Sequence, residues 1–310
     1  MQNRRTFLKQ MTSAAAAYGM VSWPFETFAA DEFVKITVLH TNDVHSHIDP
    51  FPENDPKYPG LGGVAYRHAL INKIREQEKN VLLLDAGDIF QGTPYFNMFG
   101  GELEMKLMSR MQYDAGTIGN HDFDNGVEGL VKQMPHLNFP LLNTNYDVSK
   151  TLLNGKLQPY KIFEKENVRI GVFGIGVDLN GLVDKKMWQG LVYNDPIESA
   201  AVTSHILKKK EKCDLIICLS HMGFKYPDQR PSDVVLAKQS LNIDLIIGGH
   251  SHTMIETPYE YFNRDGKSVW IAQVGWAGVR LGKIDFYFEK KTGKFLTSAS
   301  TVKVSNKAIG

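Results

Sequence analysis

Cysteine is nearly absent from this chain: only Cys213 and Cys218 occur among 310 residues. They flank one predicted strand, and five residues at about 3.3 Å each put them roughly 16 Å apart, far beyond disulfide reach. Both are expected to be buried, reduced thiols, and neither fits a cysteine-containing metal pattern. Charge of one sign is lacking as well. Lys and Arg number 35 against 34 Asp and Glu, a formal net charge of +1, so no basic stripe marks a nucleic-acid duplex as partner. The one charge cluster, Lys208-Lys209-Lys210-Glu211-Lys212, reads as the solvated end of a helix. There is no Gly-Lys-Ser/Thr phosphate loop. Gly174-Ile175-Gly176 begins a dinucleotide-like pattern but has Leu179 at the third glycine position, which removes a Rossmann-type reading. No repeat or linker divides the chain. What is present, 43% hydrophobic and 22% charged residues, suffices to bury one sizeable core.

The first thirty residues differ in kind from the rest. Arg4-Arg5-Thr6-Phe7-Leu8-Lys9 fits the twin-arginine export pattern, and a weakly apolar, Ala-rich stretch runs from Ala14 to Trp23 before Pro24. That stretch is shorter than the roughly 18–20 residues of a spanning helix. The expectation is a removable signal over residues 1–30, cut near Ala29 or Ala30 and read by the twin-arginine export machinery. It leaves one mature domain over residues 31–310, periplasmic or secreted, with no stable membrane anchor and no Cys near the signal for a lipid.

Within the mature part, strands alternate with helices. Strands are predicted at Ile36–Leu39, Val81–Leu84, Ala115–Ile118, Pro140–Leu142, Tyr160–Phe163, Val168–Gly174, Leu215–Leu219 and Leu245–Ile247. Helices are predicted at Val64–Glu78, Glu102–Met111, Pro196–Lys210 and Pro231–Ser240. The last third turns to β at Val269–Gln273, Leu281–Glu289 and Phe295–Val302, with Lys291-Thr292-Gly293 as a hairpin turn.

Short polar fragments follow the apolar strands: Asp43-Val44-His45, Gly87-Asp88, Gly119-Asn120-His121-Asp122, Ser220-His221 and Gly249-His250-Ser251-His252. Strand ends are where the loops of an α/β fold converge on one site. The N/O donors gathered there are those that divalent transition metals select. Asp43 and His45, two residues apart, can point to one face of a strand end and grip one ion. The two oxygens of Asp88 can bridge two cations. Asn120 adds a neutral ligand that does not oppose an anionic substrate. The permissive Gly248-Gly249 backbone lets His250 and His252 serve different ions. Two ions about 3.5–4 Å apart activate a bridging water and stabilise attacking and leaving oxygens, so the pattern predicts a two-metal hydrolase. Ser220 and His221 are adjacent and face opposite ways on a strand, which argues against a nucleophilic serine.

Those fragments, in that order from His40 to His252, resemble the calcineurin-like metallophosphoesterases and within them the 5′-nucleotidase branch. The carrying stretches are His40-Thr41-Asn42-Asp43-Val44-His45-Ser46-His47, Asp85-Ala86-Gly87-Asp88-Ile89-Phe90-Gln91-Gly92, Gly119 through Gly126, Ser220-His221-Met222-Gly223 and Gly248 through His252. The resemblance implies a four-layer αββα sandwich of two mixed sheets. It implies two divalent ions (Zn, Mn, Fe or Co), one held by Asp43, His45 and His252, the other by Asn120, His221 and His250, with Asp88 bridging. It makes His121 the catalytic histidine and Asp124 the carboxylate that orients it, with Asn120 and His121 touching substrate. His47 is a weaker substrate contact, and His40 is structural. The implied reaction is hydrolysis of phosphate esters such as 5′-nucleotides by a metal-activated water. The chain departs from the branch after its last strands, where longer members carry a nucleotide-binding domain; neither Trp270 nor Trp276 replaces its aromatic clamp. Two alternatives follow: a thiosulfohydrolase of the kind also exported by the twin-arginine route, or a subunit that needs a separately encoded nucleotide-binding domain.

Overall fold

The protein is described by a computed structural model over residues 33–308; the expected export signal lies outside the described residues. The chain opens with β1 (Phe33–Thr41), α1 (Val64–Gln77), β2 (Val81–Asp85), α2 (Pro94–Phe99), α3 (Glu102–Arg110) and β3 (Ala115–Gly116). It continues through α4 (Gly126–Gln133), β4 (Tyr146–Asp147), β5 (Tyr160–Lys165), β6 (Val168–Ile175), β7 (Val192–Tyr193), α5 (Pro196–His205) and β8 (Leu215–Ser220). It ends with α6 (Asp233–Gln239), β9 (Leu245–Gly248), β10 (Tyr259–Phe262), β11 (Ser268–Ala272), β12 (Arg280–Glu289) and β13 (Phe295–Lys303).

Two mixed sheets result, with strand orders β13-β12-β1-β2-β3 and β10-β11-β9-β8-β6-β5, beside a small β4-β7 pair. In the first sheet β1, β2 and β3 run parallel, and β12 returns antiparallel to β1. In the second, β6, β8, β9 and β11 run parallel.

Strands buried on both faces explain the continuous apolar runs. In β8, Leu215, Ile217 and Leu219 point into a core shared with Ile36, Val38, Leu82, Leu84 and Phe286 of the other sheet. Ile216 and Cys218, on the opposite face of β8, pack with Ala200, Leu207, Leu236 and Ala237 from the α5 and α6 region. On the far side of the first sheet, Leu39, Leu83 and Leu281 meet Leu70, Ile71 and Ile74 of α1 and Met105 and Met108 of α3. The layers are thus helix, sheet, sheet, helix, the αββα sandwich expected. Cys213 and Cys218 are free and buried, as expected. No helix among the described residues is long and apolar enough to cross a membrane.

Some predicted elements are shorter or differ. The 115–118 strand pairs with β2 only over Ala115–Gly116; the Thr117 amide makes the last ladder bond, to the Asp85 carbonyl at 3.0 Å, before the chain enters the loops beyond. Pro140–Leu142 contributes only isolated bridges to Gly116 and Gln158. The helix begun at Pro196 is α-helical to His205 and finishes as a π turn over Ile206–Lys210. The helix expected from Pro231 begins at Asp233, behind the N-cap Ser232. The β5–β6 turn, Glu166-Asn167 with φ of 47° and 69°, has no glycine or proline to mark it, and α2, β4, β7 and β10 add short elements beyond those the apolar periodicity predicts. The Lys291–Gly293 turn forms as read, with the Gly293 amide 2.8 Å from the Glu289 carbonyl.

Phe286 is 0% exposed between the sheets. Phe286→Ala is expected to cost about 3–5 kcal/mol of stability, read from denaturant unfolding. A change under about 1 kcal/mol would mean that the ring is not part of the packing that joins the layers.

Candidate metal centre

Every turn of interest leaves the C-terminal end of a parallel strand. Asp43 and His45 follow β1, Asp88 follows β2, and Asn120 and His121 follow β3; His221 follows β8, and His250 and His252 follow β9. Donor atoms of Asp43, His45, Asp88 and His252 lie within 4.8 Å of one another, and so do those of Asp88, His221 and His250. Asp88 belongs to both groups. Asn120 joins the second through its Oδ1, 2.8 Å from His250 Nδ1.

The reason these residues converge is not the strand alternation read from the sequence. Asp43 and His45 lie beyond β1 with φ of 50° and 49°, and Asp88, His250 and His252 have φ of 56°, 69° and 50°. Left-handed backbone costs an ordinary residue roughly 1–2 kcal/mol, and such outliers gather at functional sites when the surroundings enforce them. Here the enforcement is visible. The amides of Asp43, His45 and Ser46 donate to the carbonyls of Gly87, Asp88 and Ile89 at 2.9, 3.1 and 3.0 Å, locking one turn onto the other.

The imidazoles are set to offer lone pairs inward. His221 Nδ1 donates to the Ala86 carbonyl at 2.7 Å, and His45 Nδ1 to that of Phe90 at 3.1 Å. Such bonds leave Nε2 as the nitrogen free to bind a metal. His221 Nε2 is buried without a hydrogen-bond partner, 3.1 Å from an oxygen of Asp88. His45 Nε2 stands 3.0 Å from His252 Nε2 and 3.6 Å from Asp88. Nitrogen lone pairs aimed at each other and at carboxylate oxygens repel unless a cation or a proton lies among them, so this donor set fits a divalent metal. Burial pushes His45 down and His250 down to about 4, keeping both neutral. Burial also opposes charge on His221, but the Asp88 carboxylate outweighs it and holds the imidazole up at about 10. Burial works against ionisation of Asp88 too, and His221, His45 and His121 more than offset it, holding the carboxyl far below the usual range. A proton on His221 and a cation beside it are alternative ways to neutralise Asp88.

His121 lies at the edge of the cluster. Its amide donates to Asp88 Oδ1 at 2.8 Å, its ring centroid is 5.2 Å from that of His45, and its Nδ1 is 3.0 Å from Asp124. That bond to Asp124 is the main cause of a raised pKa, partly opposed by burial. His47 stands outside both groups. Its Nδ1 donates to the His45 carbonyl at 2.9 Å, and its ring stacks on Phe51 at 5.2 Å. Trp276 stacks on His252 at 5.8 Å with 10° between planes, while Trp270 is a strand residue of β11. His40 is buried inside β1, opposite Gly282 of β12. Ser220 Oγ donates to Asp233 at 2.5 Å, away from any nucleophilic role.

Several residues that matter carry no legible signal of their role. Asp122 accepts from four amides, those of Asp88, Ile89, Phe90 and Gly119, at 2.8 to 3.1 Å. Asn42 donates to Asp43 at 2.6 Å and to the Gly275 carbonyl at 2.7 Å. Gln273 donates to the Gly249 carbonyl at 2.8 Å and accepts from Ser251 and the Thr253 amide. Asn42 and Asp122 lie inside the motif fragments, beside residues of metal-binding character from which sequence alone does not separate them.

Residues 36–254 match the calcineurin-like phosphoesterase family. The chain is 38% identical over 259 residues to a 5′-nucleotidase of Vibrio cholerae, covering 79% of this chain and 45% of that protein. It is similar to the crystal structure of a 5′-nucleotidase precursor from Thermus thermophilus, with TM-score 0.81 and 30% identity over 89% of this chain and 55% of the other. A sulfate thiohydrolase from Thermus thermophilus shares the fold, with TM-score 0.71 at 19% identity over 88% of this chain and 57% of that one. The chain spans about half the length of the curated relatives it matches.

Gly87 has φ of 89°, and a Cβ there would sit 2.6 Å from the Gly119 amide nitrogen and 2.9 Å from His221 Nδ1. Gly87→Ala is expected to weaken metal binding by about tenfold or more, the usual size of outer-shell effects. Elemental analysis after dialysis checks this, with circular dichroism reporting the folded fraction. Wild-type affinity in the folded variant would show that the turn yields without moving Asp88.

Proposed function

The chain belongs to the calcineurin-like phosphoesterase family, and from that premise we propose that it is a phosphoester hydrolase working with two divalent ions, with 5′-nucleotides among its substrates. The carrying observation is the carboxylate common to two donor groups, Asp88. In this reading Asp43, His45 and His252 hold one ion and Asn120, His221 and His250 the other. Bound there, Zn, Mn, Fe or Co would activate water and neutralise phosphoryl charge. The chain's own contribution is orientation and proton supply. Asn120 and His121 meet the phosphoryl group, and His121, steadied by Asp124 at 3.0 Å, stabilises its charge or protonates the leaving oxygen. The raised pKa of His121 favours the donor form.

A hydrolysis screen of metal-reconstituted protein tests the reading, with nucleotides, sugar nucleotides, cyclic nucleotides and thiosulfate esters as substrates. Turnover of thiosulfate esters alone would transfer the site to the chemistry named for the thiohydrolase of like fold. Turnover only after adding a separate nucleotide-binding domain would make this chain a subunit.

Asp88→Ala is expected to abolish activity and lower metal content together. His121→Asn should keep its metal while slowing the chemical step by on the order of 10²-fold or more. Elemental analysis separates the two: a His121→Asn protein stripped of metal would be missing a ligand, and His121 would lose its assigned role.

Trp276 and Phe51 each stack on an imidazole, His252 and His47, an engagement that competes with stacking on a base. The polypeptide by itself should therefore discriminate less than about tenfold, 1.4 kcal/mol in the barrier, among adenine, guanine, cytosine and uracil monophosphates. Comparing kcat/KM for the four checks this, and a stronger preference means that the loops build a base pocket of their own.

We also propose export through Arg4-Arg5. Replacing the pair by Lys-Lys should leave folded protein in the cytoplasm. Unchanged export by cell fractionation would point to another route.

A further inference from the structure

Next to the metal-site turns is a small, partly open cavity lined by Ser46, Arg67, Glu104 and Tyr113 together with Val44 and Ile89. Ser46, Arg67 and Glu104 are 0%, 2% and 3% exposed, yet five of their polar atoms lack a hydrogen-bond partner: Ser46 Oγ, Arg67 Nε and Nη1, and both carboxylate oxygens of Glu104. A guanidinium and a carboxylate buried in this way are among the least tolerated groups in a protein interior unless something bridges them. The space between is suited to one occupant. Its volume is about 10 Å³, about the least that admits a single water.

A water among them would accept from one Arg67 N–H and donate to one Glu104 oxygen and to Ser46 Oγ, giving each of the three side chains a partner. Tyr113 completes the wall, its hydroxyl 2.8 Å from Thr41 Oγ1, which in turn donates to Asp85 at 2.6 Å. Asp85 accepts from the Gly87 amide at 2.9 Å, in the turn that carries Asp88.

The cavity also touches the ligand turns directly. Ser46 follows His45, has φ of 55°, donates its amide to the Ile89 carbonyl at 3.0 Å, and accepts from Thr93 Oγ1 at 2.7 Å through its own carbonyl. A Cβ at Gly278 would lie 1.9 Å from Arg67 Nη1, so the guanidinium abuts the loop that follows Trp276. We infer that Ser46, Arg67 and Glu104 hold one ordered water, and that this water-bridged triad is a positioning device for the turns bearing Asp43, His45 and Asp88. The positioning half rests on the reading of those turns as metal-binding; the water site itself does not.

Two experiments on the full chain test it. A crystal structure at a resolution that shows ordered solvent should place density within hydrogen-bonding distance of Arg67, Ser46 and Glu104; a direct Arg67–Glu104 pair with nothing between would overturn the proposal. For positioning, Ser46→Ala should bind Mn²⁺ or Zn²⁺ about tenfold more weakly at an unchanged folded fraction. The double variant Arg67→Met/Glu104→Leu should melt close to wild type, since both charges are gone, while its metal affinity stays reduced by a similar factor. Recovery of stability and affinity together, or wild-type affinity in Ser46→Ala, would reduce the triad to packing. A wild-type protein that holds no metal would sink the functional reading and with it the positioning half, and leave the crystallographic result to decide the water site.

Discussion

Two strained turns hold each other in place, and the rest of the centre depends on that. Neither the turn after β1 nor the one after β2 has a backbone an isolated peptide would keep, since Asp43, His45, Ser46 and Asp88 all occupy the left-handed region. Three amide-to-carbonyl bonds between them, together with the four amides on Asp122, turn two unfavourable conformations into one rigid unit. The strain is tolerable because the sandwich below is apolar and dense, with strands such as β8 buried on both faces.

On this frame the electrostatics follow from a concentration of acceptors. Asp88 faces three imidazoles, and two of the histidines in the centre have their Nδ1 protons committed to carbonyls of the Ala86–Phe90 segment. The same backbone segment therefore presents the shared carboxylate and selects the tautomer of the rings around it. Asp124 acts similarly one step further out, fixing His121 while leaving the ring half-exposed at the edge of the cluster.

What could be read from the sequence divides along physical lines. Apolar runs such as Val81–Leu84 and Leu215–Leu219 announce buried strands because both faces need hydrophobic residues, and the polar fragments after them announce loops that converge. The convergence of Asp43, His45, Asp88, His221, His250 and His252 was legible; its backbone cause was not, since left-handed φ at non-glycine residues leaves no mark on composition. Nor did sequence disclose Asp122, Gln273 or Arg67. Their roles consist of contacts with residues far along the chain, and an aspartate that collects amides looks in sequence like one that collects metal. Pro140–Leu142 forms isolated bridges instead of a strand for a related reason: local apolarity does not say whether a neighbouring strand is free to pair.

The donor groups come from both sheets: Asp43, His45, Asp88 and Asn120 from the first, His221, His250 and His252 from the second. Asp43 accepts the amide of His250 across a sequence separation of 207 residues. A nascent chain therefore presents Asp43, His45 and Asp88 long before His221, His250 and His252 exist, and nothing made early can hold an ion with the full donor set. Completion of the centre is thereby tied to completion of the second sheet. A chain interrupted before β9 would carry Asp43, His45, Asp88 and His221 without His250 and His252.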